Sequence, residues 1–222
     1  MISNTHVPPV GEVLIPAGEL DLPGTLQLPD HPCGLVLFAP GGGRSRQNPR
    51  NRRVAARLRA AGLGTLLFEF PTEQETAVRR NSGTIPLLAE RLVDVSQWAR
   101  AEQQLPIGWY GSGTGAAAVL MAAAEAPALV EAIVSRGGRP GLAGNALGLV
   151  RAPTLLIVGA KDLDVLERNR EALTLLHCDK ALQLVPGSGH LLDEGNTLDR
   201  VATLACHWFV RHLAGIGKHC WR

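Results

Sequence analysis

No part of this sequence offers a thiolate cluster, a membrane span or a field of one charge. Its four cysteines, Cys33, Cys178, Cys206 and Cys220, lie far apart, with no C-x-x-C pair and no metal-like cluster with histidine. That pattern excludes a disulfide framework and a structural zinc site, and points to reduced thiols. No run approaches the ~18 consecutive apolar residues a membrane helix needs. The opening, MISNTHVPPVGEV, has no basic stretch leading into an apolar core, so no secretory signal is expected there. The net charge of +2 favours neither nucleic acid nor a strongly acidic partner. A cytoplasmic protein, monomer or homodimer, that meets a small molecule is the expectation.

What the chain does have is apolar content: 45% over 222 residues, without a compositional break. That is enough for one well-filled core and short for two, so residues 1–222 are expected to form one domain, with 1–10 a loose arm. Residues 12–15 and 20–28 flank Gly18 and read as a hairpin. Pro23 and Gly24 interrupt its second arm and assign the hairpin to a sheet edge. The runs 34–39 (GLVLFA), 63–70 (LGTLLFEF), 107–110, 132–135, 154–158 (TLLIV) and 181–185 read as strands. Continuous apolar runs of this kind suit strands buried on both faces of a parallel sheet. Helical spacing falls between them, at 51–61, 85–101, 163–176 and 198–213. Alternation of strand and helix predicts an α/β fold with a mostly parallel sheet covered on both faces. The glycine-rich segment 137–148 is expected to be a loop too short for a large cap.

The most particular stretch is 107–126, IGWYGSGTGAAAVLMAAAEA. It reads as a strand, a glycine-packed turn (Gly111, Ser112, Gly113, Thr114, Gly115) and a helix of small residues that can lie close on a sheet. A turn of this form carries a nucleophilic serine at its apex in G-x-S-x-G proteins. Here Gly113 holds the apex, so the frame is present and the nucleophile is not.

Ligands in open sheets bind beyond the carboxyl ends of the strands, and the candidate chemistry falls at such ends. Asp162 follows TLLIVG, and His190 follows ALQLVP. The chain order turn, acid, histidine matches that of the G-x-S-x-G hydrolases. Taken alone, Asp162 is equally well an N-cap of the following helix, and His190 a structural histidine. Asp164 and Asp193 are weaker candidates for the acid. Backbone amides of Gly42, after the 34–39 strand, and of Thr114, after the apex, stand where an oxyanion hole forms. No acidic residue occurs between 31 and 68, whereas seven arginines do. Those on the 51–61 helix read as a solvated face. Arg44 and Arg46 are the candidates to meet an anionic substrate. Glu69 at a strand end is either a pocket residue or a structural hydrogen-bond acceptor. Ser135 and Arg136, at another strand end, can line the same site.

FAPGGGRSRQNPRNRRVA, GSGTGAAA, VSRGGRPGLAG, APTLLIVGAKD and VPGSGHLLDE together resemble the dienelactone-hydrolase-like α/β-hydrolases. Within that group the chain is most similar to the small hydrolases found fused to phosphoribosyltransferases. The resemblance spans about 20–213. It implies an α/β-hydrolase fold without a large cap and action on an ester, lactone or related carbonyl compound, with no metal and no organic cofactor. It carries the triad over as Asp162 and His190 with the nucleophile position empty. The chain departs from the family pattern twice, with Pro40-Gly41 where His-Gly is usual and Gly113 where the serine stands.

Ser112 is the alternative nucleophile, but a side chain one residue before the apex points elsewhere, and attack needs reacting atoms within ~3 to 3.5 Å. Four readings stay open. In one, His190 activates water for direct hydrolysis. In the second it drives a proton transfer of lyase or cyclase type. The third is a pseudo-hydrolase that binds a small molecule or a partner without turnover. The fourth is a serine esterase whose nucleophile has been replaced.

Overall fold

The computed structural model describes residues 10–18, 20–39, 45–69, 84–192 and 195–215. Eight strands occur in chain order as β1 (Val10–Ala17), β2 (Leu20–Gln27), β3 (Leu35–Ala39), β4 (Gly64–Phe68), β5 (Ile107–Ser112), β6 (Ala132–Arg136), β7 (Thr154–Gly159) and β8 (Lys180–Val185). Five α-helices lie among them: α1 (Pro49–Ala60), α2 (Thr84–Gln103), α3 (Thr114–Glu125), α4 (Leu163–Leu175) and α5 (Thr197–Leu213). They form one sheet of order β1-β2-β4-β3-β5-β6-β7-β8. The β1–β2 and β2–β4 pairs are antiparallel and every other pair is parallel.

Burial follows from this order. The inner strands β3, β4, β6 and β7 are buried at every position, as their uninterrupted apolar sequences require. Strand β2 alternates buried with half-exposed residues, and β8, at the far edge, is largely exposed. Two apolar layers flank the sheet. One packs α2 and α3 over Leu35, Leu37, Trp109 and Ile133. The other packs α1 and α5 over Val36, Phe38, Tyr110 and Val134. At ~25 cal/mol per Å² of apolar surface, each buried Leu or Val side chain stabilises by about 1.5 to 3 kcal/mol.

The helix ends are set locally. Asn48 caps α1 by accepting the Arg50 amide at 2.9 Å, with Pro49 in the first turn, where its missing N–H is not needed. Helix α3 begins directly at the bend after β5. It comes so close that a Cβ at Gly111 would meet the Gly115 carbonyl oxygen at 2.7 Å.

The structure corrects two expectations. The β1–β2 hairpin does lie at the sheet edge, but its second arm, β2, is not interrupted at Pro23 and is not itself outermost. It pairs with β1 on one side and β4 on the other, and only β1 is outermost. Proline is tolerated because pairing to β4 begins one residue later, at Gly24 opposite Phe68, while the Pro23 carbonyl accepts the Glu69 amide at 3.1 Å. The segment expected as a loop at 137–148 contains a 3-10 helical stretch, Pro140–Leu149, kinked at Gly144. Its buried Pro140, Ala143 and Leu147 pack against α3 and α4.

The order of the sheet also locates its crevice. From β3 the chain steps to β4 on one side and then to β5 on the other, so the direction of winding reverses there. A reversal of this kind opens a cleft at the carboxyl ends of the strands. The bend after β5 stands beside it.

Candidate active site

Asp162 and His190 are brought together by β7 and β8, which run parallel with Val158 beside Leu184 and Gly159 beside Val185. Each strand ends in a tight turn, and the turns are laced to each other. The Ala160 amide donates to the Val185 carbonyl at 3.0 Å, and the Lys161 amide to the Ser188 carbonyl at 2.9 Å. The buried Ser188 hydroxyl donates back to the Val185 carbonyl at 3.0 Å. No side chain fits between the turns. A Cβ at Gly159 would lie 2.2 Å from the Gly189 carbonyl oxygen.

That close approach fixes a hydrogen bond of 2.7 Å between His190 Nδ1 and Asp162 Oδ2. The other carboxylate oxygen, Oδ1, accepts the Val165 amide at 3.4 Å and caps α4. Each carboxylate oxygen therefore has its own partner, one the imidazole and the other the helix cap. A carboxylate only accepts, so Nδ1 carries the proton and Nε2 of the neutral ring is left as the acceptor. Asp162 is 17% exposed and the His190 ring 50% exposed, so the acid is sheltered while the imidazole faces solvent.

Gly113 forms the bend at φ 58°, ψ −123°. This region is open to glycine and strained for any residue with a Cβ. The carbonyl of Gly113 accepts the Arg139 amide at 3.3 Å. The segment 137–139 links this bend to the dyad. The Gly137 amide donates to Ile157 of β7, and a Cβ on Gly137 would lie 3.1 Å from the His190 carbonyl oxygen. Gly138 rests against Ala116 of α3, and its carbonyl accepts Asn169 Nδ2 of α4 at 3.0 Å. Asn169 is buried and also donates to the Val165 carbonyl at 2.7 Å, tying α4 to this segment. Nothing local in the sequence marked it.

The remaining candidates separate. Ser112 is the last residue of β5 and sits in register with Arg136 of β6. By strand alternation its side chain shares the α1/α5 face with Tyr110, not the apex of the bend. Thr114 is the first residue of α3, so its amide belongs to the helix N-terminal set, which is electropositive. Gly42, Arg44 and Asp193 lie outside the described residues. Arg46 turns away toward the hairpin: it forms an ion pair with Glu12, and its Nε donates to Thr25 Oγ1 at 3.0 Å. Glu69, weighed as a pocket residue or a structural acceptor, accepts the Arg46 amide at 3.1 Å. Asp164 pairs with Arg168 on the exposed face of α4 and is remote in purpose from the dyad.

Among the described residues, three buried polar groups on β5 and β6 have no hydrogen-bond partner: the Tyr110 hydroxyl and Arg136 Nη1 on the α1/α5 face of the sheet, and the Ser135 hydroxyl on the opposite face, near Gly138 and Ala116 of α3. Arg136 is 7% exposed. Burial pushes the Tyr110 phenol up from its ordinary value, while the nearby Arg136 guanidinium pulls it the other way. Tyr110 reads in the sequence as one more apolar strand position, which hid its unpaired hydroxyl. Among the described residues no group of three His, Cys, Asp or Glu side chains is placed to hold a metal ion. No described helix is long and apolar enough to cross a membrane.

A mostly parallel eight-stranded sheet, helices on both faces, a strained bend after the central strand and a His–Asp pair after the last two strands define an α/β-hydrolase fold. A dienelactone hydrolase from Anabaena variabilis is 45% identical in sequence, with a TM-score of 0.86 over 93% of this chain and 100% of that one. The chain belongs to the dienelactone-hydrolase-like family. Est1E from Butyrivibrio proteoclasticus shares the fold at 15% identity, with a TM-score of 0.78 over 92% of this chain and 99% of that one. A Mycobacterium tuberculosis protein named as a phosphoribosyl transferase is 49% identical over 209 residues, which are 93% of this chain and 47% of that protein. The chain thus spans about half the length of the curated relatives it matches. No protein-family model matches the sequence.

Proposed function

We propose that this chain hydrolyses an ester, lactone or related carbonyl compound by direct attack of water, with His190 as general base and Asp162 as its orienting acid. The observation that carries this reading is the 2.7 Å bond between Nδ1 and the carboxylate, which leaves Nε2 free to take a proton. At Gly113 no side chain occupies the place of a covalent nucleophile, which leaves that place to the attacking water. His190 Nε2 takes one proton from that water as its oxygen bonds to the carbonyl carbon. The carbonyl electron pair moves onto oxygen, held by the Thr114 amide at the N-terminus of α3. Collapse of the tetrahedral species breaks the bond to the leaving alkoxide, which receives the proton back from the imidazolium. Without a serine, the hole and substrate binding alone sustain accelerations on the order of 10³ to 10⁴ over water.

The substrate is anionic in this reading. Arg136 is a buried cation with an unpartnered Nη1 beside the bend, and a substrate carboxylate would supply its missing partner.

Intact-mass spectrometry during turnover of p-nitrophenyl esters and lactones tests the mechanism. Product release with no acyl adduct on the protein is expected. An adduct at Ser112 would overturn it. A second reading, ligand binding without turnover, is favoured by the same missing side chain. It predicts saturable binding of a carbonyl compound with no product formed and an affinity unchanged in His190→Ala.

A further inference from the structure

We propose that the groove between α1 and the β1–β2 hairpin is a second binding site, for the phosphate group of a small molecule. Helix α1 covers β3 and β4 on its face of the sheet, while β1 and β2 extend beyond it. The result is a cleft of about 470 Å³. Its helical wall is the stripe Arg52, Ala55, Ala56 and Arg59, spaced i, i+3, i+4, i+7 and hence on one face of α1. The two alanines keep the middle of the wall low between two guanidinium groups.

Arg46 enters the same cleft from the opposite wall. Two of the three arginines donate to threonine hydroxyls, which leaves the charge of Arg59 in place, whereas Arg46 is also ion-paired with Glu12. Arg59 Nη1 donates to Thr65 Oγ1 at 3.0 Å, and Arg46 Nε to Thr25 Oγ1 at 3.0 Å. Among the described residues, the one acid lining the cleft is Glu12, 69% exposed at its rim and ion-paired with Arg46. Among the described residues, Arg52 and Arg59 have no carboxylate partner.

Like charges gathered in a recess repel, and here burial and the neighbouring Arg52 both push the Arg59 guanidinium down from its ordinary value. An oxyanion placed between the two relieves both effects. Guanidinium forks match the tetrahedral oxygens of phosphate two at a time, which an ammonium does not. The Gln27 side chain, also on the lining, adds a neutral donor for a third oxygen. The hairpin and α1 build this cleft from β1, β2 and β4, whereas the dyad hangs from β7 and β8. Occupancy is therefore independent of the hydrolytic reading.

The test is calorimetric titration of the intact chain with inorganic phosphate and with pyrophosphate at constant ionic strength. Five single variants are compared: Arg52→Met, Arg59→Met, Arg59→Lys, Arg57→Met and His190→Ala. Saturable binding is expected. Its Kd should rise roughly ten-fold or more in both Met variants of the cleft and also in Arg59→Lys, which keeps the charge and loses the fork. Arg57→Met and His190→Ala should bind as the parent does, and circular dichroism identifies any variant that fails to fold. Absence of saturable binding by the parent would overturn the proposal. So would equal weakening by Arg57→Met, which would trace the effect to the diffuse charge of α1.

Discussion

Gly113→Ser is the substitution that separates the physical claims about the bend. The glycine sits at φ 58°, ψ −123°, and a residue with a Cβ held there costs about 1 to 3 kcal/mol. For a chain of 222 residues, each kcal/mol lowers Tm by roughly 2 to 4 °C, so the variant should melt roughly 2 to 12 °C lower. The same serine would stand before an imidazole already oriented by Asp162 at 2.7 Å. In exchange for the strain the variant gains covalent catalysis. Removal of a serine from an intact triad costs on the order of 10⁶ in kcat in a well-studied protease. Even partial recovery should raise p-nitrophenyl ester hydrolysis by at least ~10²-fold, with a pre-steady-state burst. The assay is differential scanning calorimetry beside stopped-flow release of p-nitrophenol. A folded Gly113→Ser protein with the lowered Tm and an unchanged hydrolytic rate would refute the reasoning. It would mean that the bend does not present its apex to the dyad. The double variant Gly113→Ser, His190→Ala should lose the whole gain.

The two oxygens of Asp162 can be told apart. Asp162→Asn preserves the cap on α4 and should leave urea stability within roughly 0.5 kcal/mol, whereas Asp162→Ala loses about 1 kcal/mol; both should depress turnover, by no more than His190→Ala does and on the order of 10²-fold, because the imidazole loses its tautomer and its counter-charge. Gly159→Ala drives a Cβ to 2.2 Å from the Gly189 carbonyl oxygen and should destabilise by about 1 to 3 kcal/mol in chemical denaturation, with activity falling as the turns separate. Arg136→Met removes a buried, unpartnered cation, so its Tm without substrate should hold or rise, while KM for carboxylate-bearing esters climbs and that for neutral esters stays. A fall in Tm of Arg136→Met would show that the protein itself satisfies this charge.

How much of this was legible follows from how local each signal is. The inner strands announce themselves because a strand buried on both faces must be apolar at every position, as LVLFA and TLLIVG are. Asp162 and His190 are readable because they follow two successive parallel strands, β7 and β8, of which only β7 is buried throughout, and strand order brings them together. Pro23 misled because its tolerance depends on where β4 happens to stop, a fact of register and not of composition. The 3-10 stretch Pro140–Leu149 reads as glycine-rich loop because its shape is imposed by packing on α3 and α4. The partners of Arg46 are illegible for a similar reason: Glu12 and Thr25 lie far back in the chain, and only the hairpin fold brings them to it. The unpaired Tyr110 hydroxyl carries no sequence signal at all.

The account rests on His190 taking a proton from water beside Gly113. Its most direct test is the rate at which the intact chain and His190→Ala hydrolyse an anionic ester or lactone near neutral pH, measured side by side on folded protein. A fall of ~10² or more in kcat/KM with the substitution is the predicted result. Hydrolysis at equal rates by the two proteins would contradict it.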